Sequence, residues 1–284
     1  MKADFVVVGA GVAGSVLARM LKDRGARVLL VEGAPGASHA PAAVVNPIRA
    51  KRGKAVPEAG AKLALARRFY ARFFPVHPGL ALLPPEEKRA RFLRAAKEAG
   101  LKARETGAGI FLPEAFWLRP RPLLSALTAG IPRIQGWALH LEQGRVHLAN
   151  GRELKGEVFF AGGAAGAALG GVAGSLAAGS LLLITEKTPA MVAGVFLAGG
   201  AVGGTYRSLA RYAAWTPTRG ELEELRKKAA AVLGQPPTPV GAYSGVRLRL
   251  PARFLPRPYG HYVGGFGSTG FLEAPFEVAR FLGR

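Results

Sequence analysis

Glycines spaced G-x-G-x-x-G directly after a strand, with an acid closing the next strand, are residue types and spacings that hold a dinucleotide. Residues 4–32 contain every part of that arrangement. Asp4-Phe5-Val6-Val7-Val8 leads into Gly9-Ala10-Gly11-Val12-Ala13-Gly14. Gly9 makes the tight turn, Gly11 lets the backbone approach a pyrophosphate, and Gly14 lets a helix predicted over 12–24 lie close on the sheet. The anion then rests on first-turn N–H groups, those of Val12 and Ala13 included, where unpaired donors and the helix dipole favour negative charge. Gly25 stops the helix, 27–31 reads as a buried parallel strand, and Glu32 arrives where a carboxylate accepts hydrogen bonds from ribose hydroxyls. A later apolar strand, 157–161, ends in Gly162-Gly163, which predicts that Ala161, Gly162 and Gly163 form a second strand tip at the cofactor.

The elements that must position these residues follow from periodicity and punctuation. After Glu32 comes a loop of small residues, 33–47, whose backbone can run along an extended ligand and whose Ala43, Val44 and Asn46 are candidate contacts. Basic helices are predicted over 58–74 and 84–100, the second opened by Pro84-Pro85-Glu86-Glu87 with its acids where the dipole favours them. A strand at 109–112, a short helix at 122–129 and a hairpin of 137–141 with 145–148 around Gln143-Gly144 come next. Short strands at 181–184, 191–197 and 201–206 read as a meander, and 219–233 as a helix with glutamates early and lysines late. Strands return from 242, and a final helix at 276–282 follows a glycine-rich stretch, 264–270. This order predicts an α/β chain of two interleaved lobes. Residues 1–60, 119–178 and 241–284 would form the nucleotide lobe, and 61–118 and 179–240 a substrate lobe.

Composition bounds the chemistry. With 284 residues, 49% of them apolar and fifteen Phe, the chain is globular rather than disordered. It has no cysteine, which excludes disulfides, thiolate metal sites, cysteine nucleophiles and a cysteinyl link to a flavin. No metal site is predicted. Cysteine avoidance predicts a cytoplasmic protein, and the abundance of Arg, Ala and Pro a thermophile. The uncharged run 158–185 is long enough to span a bilayer, yet its glycines and alanines give low hydropathy and poor helix propensity, so it reads as strand, glycine turn and strand, with no membrane partner. Residues 1–21 place Asp4 ahead of the apolar run and read as a buried first strand rather than a signal peptide.

Together these residues resemble the D-amino-acid oxidase superfamily of FAD-dependent amine oxidases. Within it the likeness is nearest to the oxidase domain of the bifunctional tRNA methylaminomethyl-thiouridine biosynthesis proteins, then to glycine oxidases. It runs through the N-terminal fingerprint, Ala42–Arg49, Leu65–Tyr70, Phe116–Pro120, Gly203-Gly204-Thr205-Tyr206, Ser244-Gly245-Val246-Arg247 and Gly265–Pro275. The resemblance implies a glutathione-reductase-like, Rossmann-type FAD-binding domain interleaved with a small α+β substrate lobe containing an antiparallel sheet. It implies non-covalent FAD, with Gly265, Gly267, Ser268, Thr269, Gly270 and Phe271 against the flavin. It also implies that Arg247 grips a substrate carboxylate and that Tyr206 stands near the reacting centre. Arginine suits a carboxylate because its planar fork makes two charge-assisted hydrogen bonds. Arg249, two residues on, shares a strand face with Arg247. The chain departs from the pattern in being short and in lacking the acid that commonly follows the G-x-R motif, the local run being Leu250–Gly260. His39 is offset from the histidine that links FAD covalently in some relatives and is taken as a loop residue.

The leading expectation is oxidation of the C–N bond of a small amine or amino acid by hydride transfer to flavin. An alternative moves the amine onto tRNA, as a carboxymethylaminomethyl group on a wobble uridine. The formal charge of +21 would then track phosphates through Arg49, Lys51, Arg52, Lys54 and the basic helix 67–72. A further alternative is a non-catalytic flavin-binding protein. An NAD(P)-dependent dehydrogenase fits less well, because Gly33 after Glu32 brings no cation for a 2′-phosphate and the C-terminal glycine loop would go unexplained.

Overall fold

Phe5–Val8 of Lys2–Val8 (β1) and Val28–Val31 of Val28–Glu32 (β2) are continuous apolar runs, the composition of strands covered on both faces. They pair in parallel with Val7 opposite Leu30. The computed structural model, which describes residues 1–49 and 52–283, places between them α1 (Val12–Asp23), ended by Gly25 at φ +84°. Arg133–Gln135 (β3) extends the sheet beyond β2, and Glu153–Phe160 (β4) pairs in parallel with β1 on the other side. The hairpin Ala138–Glu142 with Arg145–Leu148, and the pair Phe254–Arg257 with Gly260–Val263, complete eight strands.

A second sheet of ten strands is mostly antiparallel. Its longest pairing joins Ser175–Ile184 (β5) to Pro239–Arg249 (β6), with Ala177 opposite Arg247 and Gly179 opposite Gly245. The remaining helices are α2 (Ala59–Ala71), α3 (Glu86–Glu98), α4 (Pro120–Leu127), α5 (Arg219–Leu233) and α6 (Gly270–Leu282). α1, α2 and α6 share one core, in which fully buried Tyr70 meets Phe69 and Phe271 edge-on. α5 matches its predicted span, fixed by a Thr218–Glu221 capping box and a left-handed Gly234.

Three expectations are corrected. The last helix starts at Gly270, six residues before the predicted 276: Leu272 and Glu273 both anchor their N–H groups on the Thr269 carbonyl, and Pro275, the sixth helical residue, is carried inside it. Gly270 and Phe271 are therefore first-turn helix rather than loop. The strand at 109–112 runs on to Leu118, because Pro113 falls where the pairing with His77–Leu82 is irregular and no ladder N–H is needed. α4 begins at Pro120, a first-turn position where the missing N–H has no partner to lose. β6 pairs with β5 along its length, so 239–249 belongs to the second sheet. Residues 158–185 resolve into β4, a turn-rich glycine run and β5. Among the described residues no helix is long and apolar enough to cross a membrane.

Candidate functional site

Two of the three fingerprint glycines are required by the protein itself. At Gly9, φ +112°, a Cβ would overlap the Ala161 carbonyl oxygen at the tip of β4, whose N–H in turn donates to the Val8 carbonyl at 2.6 Å. At Gly14 a Cβ would overlap the Gly9 carbonyl oxygen, which is the close helix-to-turn packing its spacing predicts. Gly11 differs: the nearest atom to a Cβ there is Ser38 Oγ of the following loop, at 3.3 Å. α1 opens at Gly11 with no side-chain cap, which leaves its first-turn donors available to an anion.

Glu32 closes β2, partly exposed, and accepts a hydrogen bond from Gln135 Nε2 at 3.0 Å, with Arg133 Nη1 3.6 Å away. Gly33 brings no cation, as its type dictates, but Arg133 does. Arg133 comes from β3, far off in sequence but next to β2 in the sheet. Gly162 and Gly163 shape the chain after β4. A Cβ at Gly162 would lie 2.7 Å from the Phe160 ring, and the Gly163 carbonyl accepts the Tyr262 hydroxyl at 3.0 Å. His39 is a loop residue whose Nδ1 accepts the Gly36 N–H at 3.2 Å, and burial holds its pKa below the usual histidine range.

A cavity of about 350 Å³ lies between the second sheet, the 37–46 segment and the starts of α1 and α6. β6 supplies one wall through Tyr243, Gly245 and Arg247, alternate residues on one face. β5 adds Gly179, Ser180 and Leu181. Of the residues predicted to touch the cofactor, Val12, Ala43, Val44 and Asn46 line it, and so do Gly267, Ser268, Thr269, Gly270 and Phe271. Gly265 lies outside it, at φ +75°, packed on Leu250. Tyr206 is also outside, 61% exposed, though close enough for its oxygen to act on the Arg247 charge. Gly245 has a packing reason of its own, since a Cβ would press on Ala37 Cα at 2.7 Å.

Arg247 is the one charged side chain on the cavity wall among the described residues, and it makes no hydrogen bond or ion pair with them. Burial pushes its guanidinium down from the ordinary arginine range, and Tyr206 opposes the shift. A half-buried cation without a protein counter-ion is a site for an anion. Arg249 follows the same face but is exposed and lies against Gly267.

Two side-chain networks escaped sequence reasoning. Arg253 Nη1 donates to the carbonyls of Leu250 at 2.7 Å and Gly265 at 2.6 Å, while Nη2 meets Glu273 Oε2 at 2.7 Å. Glu273 also accepts the Thr269 hydroxyl at 2.6 Å and is buried, so the pair clamps the C-terminal glycine loop from below. The only signal was the departure of Leu250–Gly260 from the family pattern. Second, Glu221 Oε2 accepts from Ser180 Oγ at 3.1 Å and Trp215 Nε1 at 3.3 Å, tying the cavity wall to the 205–218 segment. The Arg207 guanidinium stacks on Trp215 at 5.2 Å, beside exposed Tyr206 and Tyr212.

The basic surface is partly engaged. Lys62 is buried and ion-paired with Glu277 at 3.0 Å and Glu58 at 3.7 Å, and Arg72 pairs with Asp23 at 3.3 Å. Ala50 and Lys51 lie outside the described residues. Among the described residues no group of three potential metal ligands occurs.

The sequence matches a family model described as FAD dependent oxidoreductase over residues 4–282. Glycine oxidase from Geobacillus kaustophilus shares the fold with a TM-score of 0.80 at 20% identity, covering 99% of this chain and 94% of that one. Iminodiacetate oxidase from Chelativorans sp. does so at 0.75 and 19%, covering 97% and 93%. L-α-glycerophosphate oxidase from Mycoplasma pneumoniae, solved with FAD bound, gives 0.75 and 17%, covering 99% and 94%. No curated protein matches the sequence.

Proposed function

Because this chain belongs to the family of FAD dependent oxidoreductases, we propose that it oxidises the C–N bond of a small amine or amino acid whose carboxylate is anchored by Arg247. The residues present fit FAD. The uncapped start of α1 offers donors to a pyrophosphate, and Gly11, with no Cβ, leaves the backbone there open. Val12, Ala13 and Glu32 would hold the adenosine half, and Ala161–Gly163 would border it. Ala43, Val44, Asn46 and the Gly265–Phe271 segment would flank the flavin. The first sheet would then carry the cofactor lobe and the second the substrate lobe, in the segments 61–118 and 179–240 extended by β6.

Bound FAD supplies a two-electron acceptor: hydride leaves the substrate Cα, the amine proton passes to water, and the imine formed is hydrolysed. Arg247 holds the far end of the substrate through two charge-assisted hydrogen bonds, which fixes the Cα. Leu181, Val195 and Phe196 give the cavity an apolar side against which a substrate side chain can pack. No carboxylate or imidazole lines it among the described residues, so the amine proton goes to solvent rather than to a protein base.

The observation that carries this reading is the unpartnered guanidinium of Arg247 in the same cavity as the C-terminal glycine loop. Titrating the flavin-loaded protein with benzoate, followed by the flavin spectrum, tests it. Arg247→Met should weaken binding by about 2–5 kcal/mol while the flavin is retained; unchanged affinity removes Arg247 from the site.

A second reading, the amine carried on tRNA, is favoured by the segment after cavity-lining Thr205. Tyr206, Arg207, Arg211 and Tyr212 are exposed there, with no acid between 205 and 217. Aromatic faces interleaved with arginines suit unstacked bases and phosphates.

A further inference from the structure

Gly179 and Arg247 are diagonal neighbours on one face of the β5–β6 pair, since Ala177 stands opposite Arg247 and Gly179 opposite Gly245. A Cβ built at Gly179 would overlap Arg247 Nη2 and lie 3.3 Å from the Thr205 carbonyl oxygen. The guanidinium therefore rests over the bare Cα of Gly179, in the space any side chain would fill. Gly179 does not have a left-handed backbone, so conformation alone does not call for glycine at this position. Both residues line the same cavity.

We propose that Gly179 is a positioning residue whose missing side chain sets how deep the Arg247 guanidinium sits, and hence the length of carboxylate the cavity accepts. The inference rests on Arg247 being the carboxylate anchor. A methyl at 179 displaces the flexible end of Arg247 by about 1 Å, the difference between overlap and van der Waals contact. The displaced guanidinium moves into the cavity and shortens it. Binding of small carboxylates survives, and that of larger ones suffers.

The test titrates flavin-loaded wild type, Gly179→Ala and Arg247→Met with acetate and benzoate, followed by the visible flavin spectrum. Gly179→Ala should keep its flavin and bind acetate within about threefold of wild type, while benzoate weakens roughly tenfold or more. Arg247→Met should lose both ligands. If Arg247→Met loses both and the acetate-to-benzoate ratio in Gly179→Ala equals that of wild type, the role of Gly179 is overturned and the anchor stands. If Arg247→Met binds both as wild type does, or wild type binds neither, the anchor itself falls and this inference with it. A Gly179→Ala protein that binds neither ligand also overturns it, since the displaced guanidinium should still serve acetate.

Discussion

Two glycine turns open two helices onto one cavity, and they are built by different means. The first, Gly9–Gly14, is backbone packed on backbone: Gly9 against Ala161, and Gly14 against Gly9. The second, Gly264–Gly270, also turns through left-handed glycines, but it is held by side chains, with Arg253 gripping two of its neighbouring carbonyls and Glu273 gripping Arg253 and Thr269. The helices meet at their starts, where a Cβ on Gly270 would lie 3.0 Å from Val12 Cγ1. A turn made by backbone contact is a pattern within a few residues. A turn made by a side-chain clamp depends on groups that only folding brings together, and it can be weakened without being abolished.

The largest effect should come from breaking the first turn. Gly14→Val puts a branched side chain where the Gly9 carbonyl stands, so turn and helix cannot both persist. Flavin content of the purified protein, read as absorbance, should fall to zero, and the melting temperature should drop sharply. A yellow, stable Gly14→Val protein would show that the turn tolerates a side chain.

Breaking the clamp should do less. Glu273→Gln keeps the shape but leaves Arg253, 18% exposed, without its counter-charge, a change that destabilises by about 3–5 kcal/mol for a buried pair. FAD affinity should weaken with stability, and some flavin should remain at saturating FAD. If Glu273→Gln behaves as Gly14→Val does, the two turns are not built differently.

The smallest effect concerns the glycine run after β4, pinned by Tyr259 and Tyr262 hydroxyls on the Gly170 and Gly163 carbonyls, each at 3.0 Å. Burial raises the Tyr259 pKa to about 12 and pushes Tyr262 up as well. Between pH 10, where an unfolded tyrosine ionises, and about 12, the unfolded chain binds fewer protons than the folded one. Stability therefore falls as pH rises through that window. Tyr259→Phe should lose about 1 kcal/mol at neutral pH and flatten part of the alkaline loss. An unaltered pH dependence of unfolding by denaturant would remove Tyr259 from that role.

What the sequence carried follows the same division. The fingerprint, Glu32, the 137–148 hairpin and α5 were legible because glycine spacing, strand alternation and capping residues act over a few positions. The bounds beside Pro113, Pro120 and Pro275 were missed, since a strand irregularity, a first-turn position and a helix interior that carries a proline look alike in sequence. The partners of Arg253, Glu273, Glu221 and Arg133 across the fold were not legible. Each acts on a partner brought close by sheet pairing or by a helix end, and charge alone does not distinguish them from surface residues. Gly179 was hidden for a related reason, since its meaning depends on the strand beside it.

Anaerobic spectrophotometry of the flavin-loaded protein tests the central claim most directly. Glycine, sarcosine, D-amino acids and tRNA bearing a carboxymethylaminomethyl wobble uridine are each added, and the visible flavin band is followed. At least one free, carboxylate-bearing amine should bleach the band in the wild type and fail to do so at the same concentration in Arg247→Met. Bleaching by the modified tRNA alone, or by nothing in the panel, would contradict oxidation of a small amine anchored at Arg247.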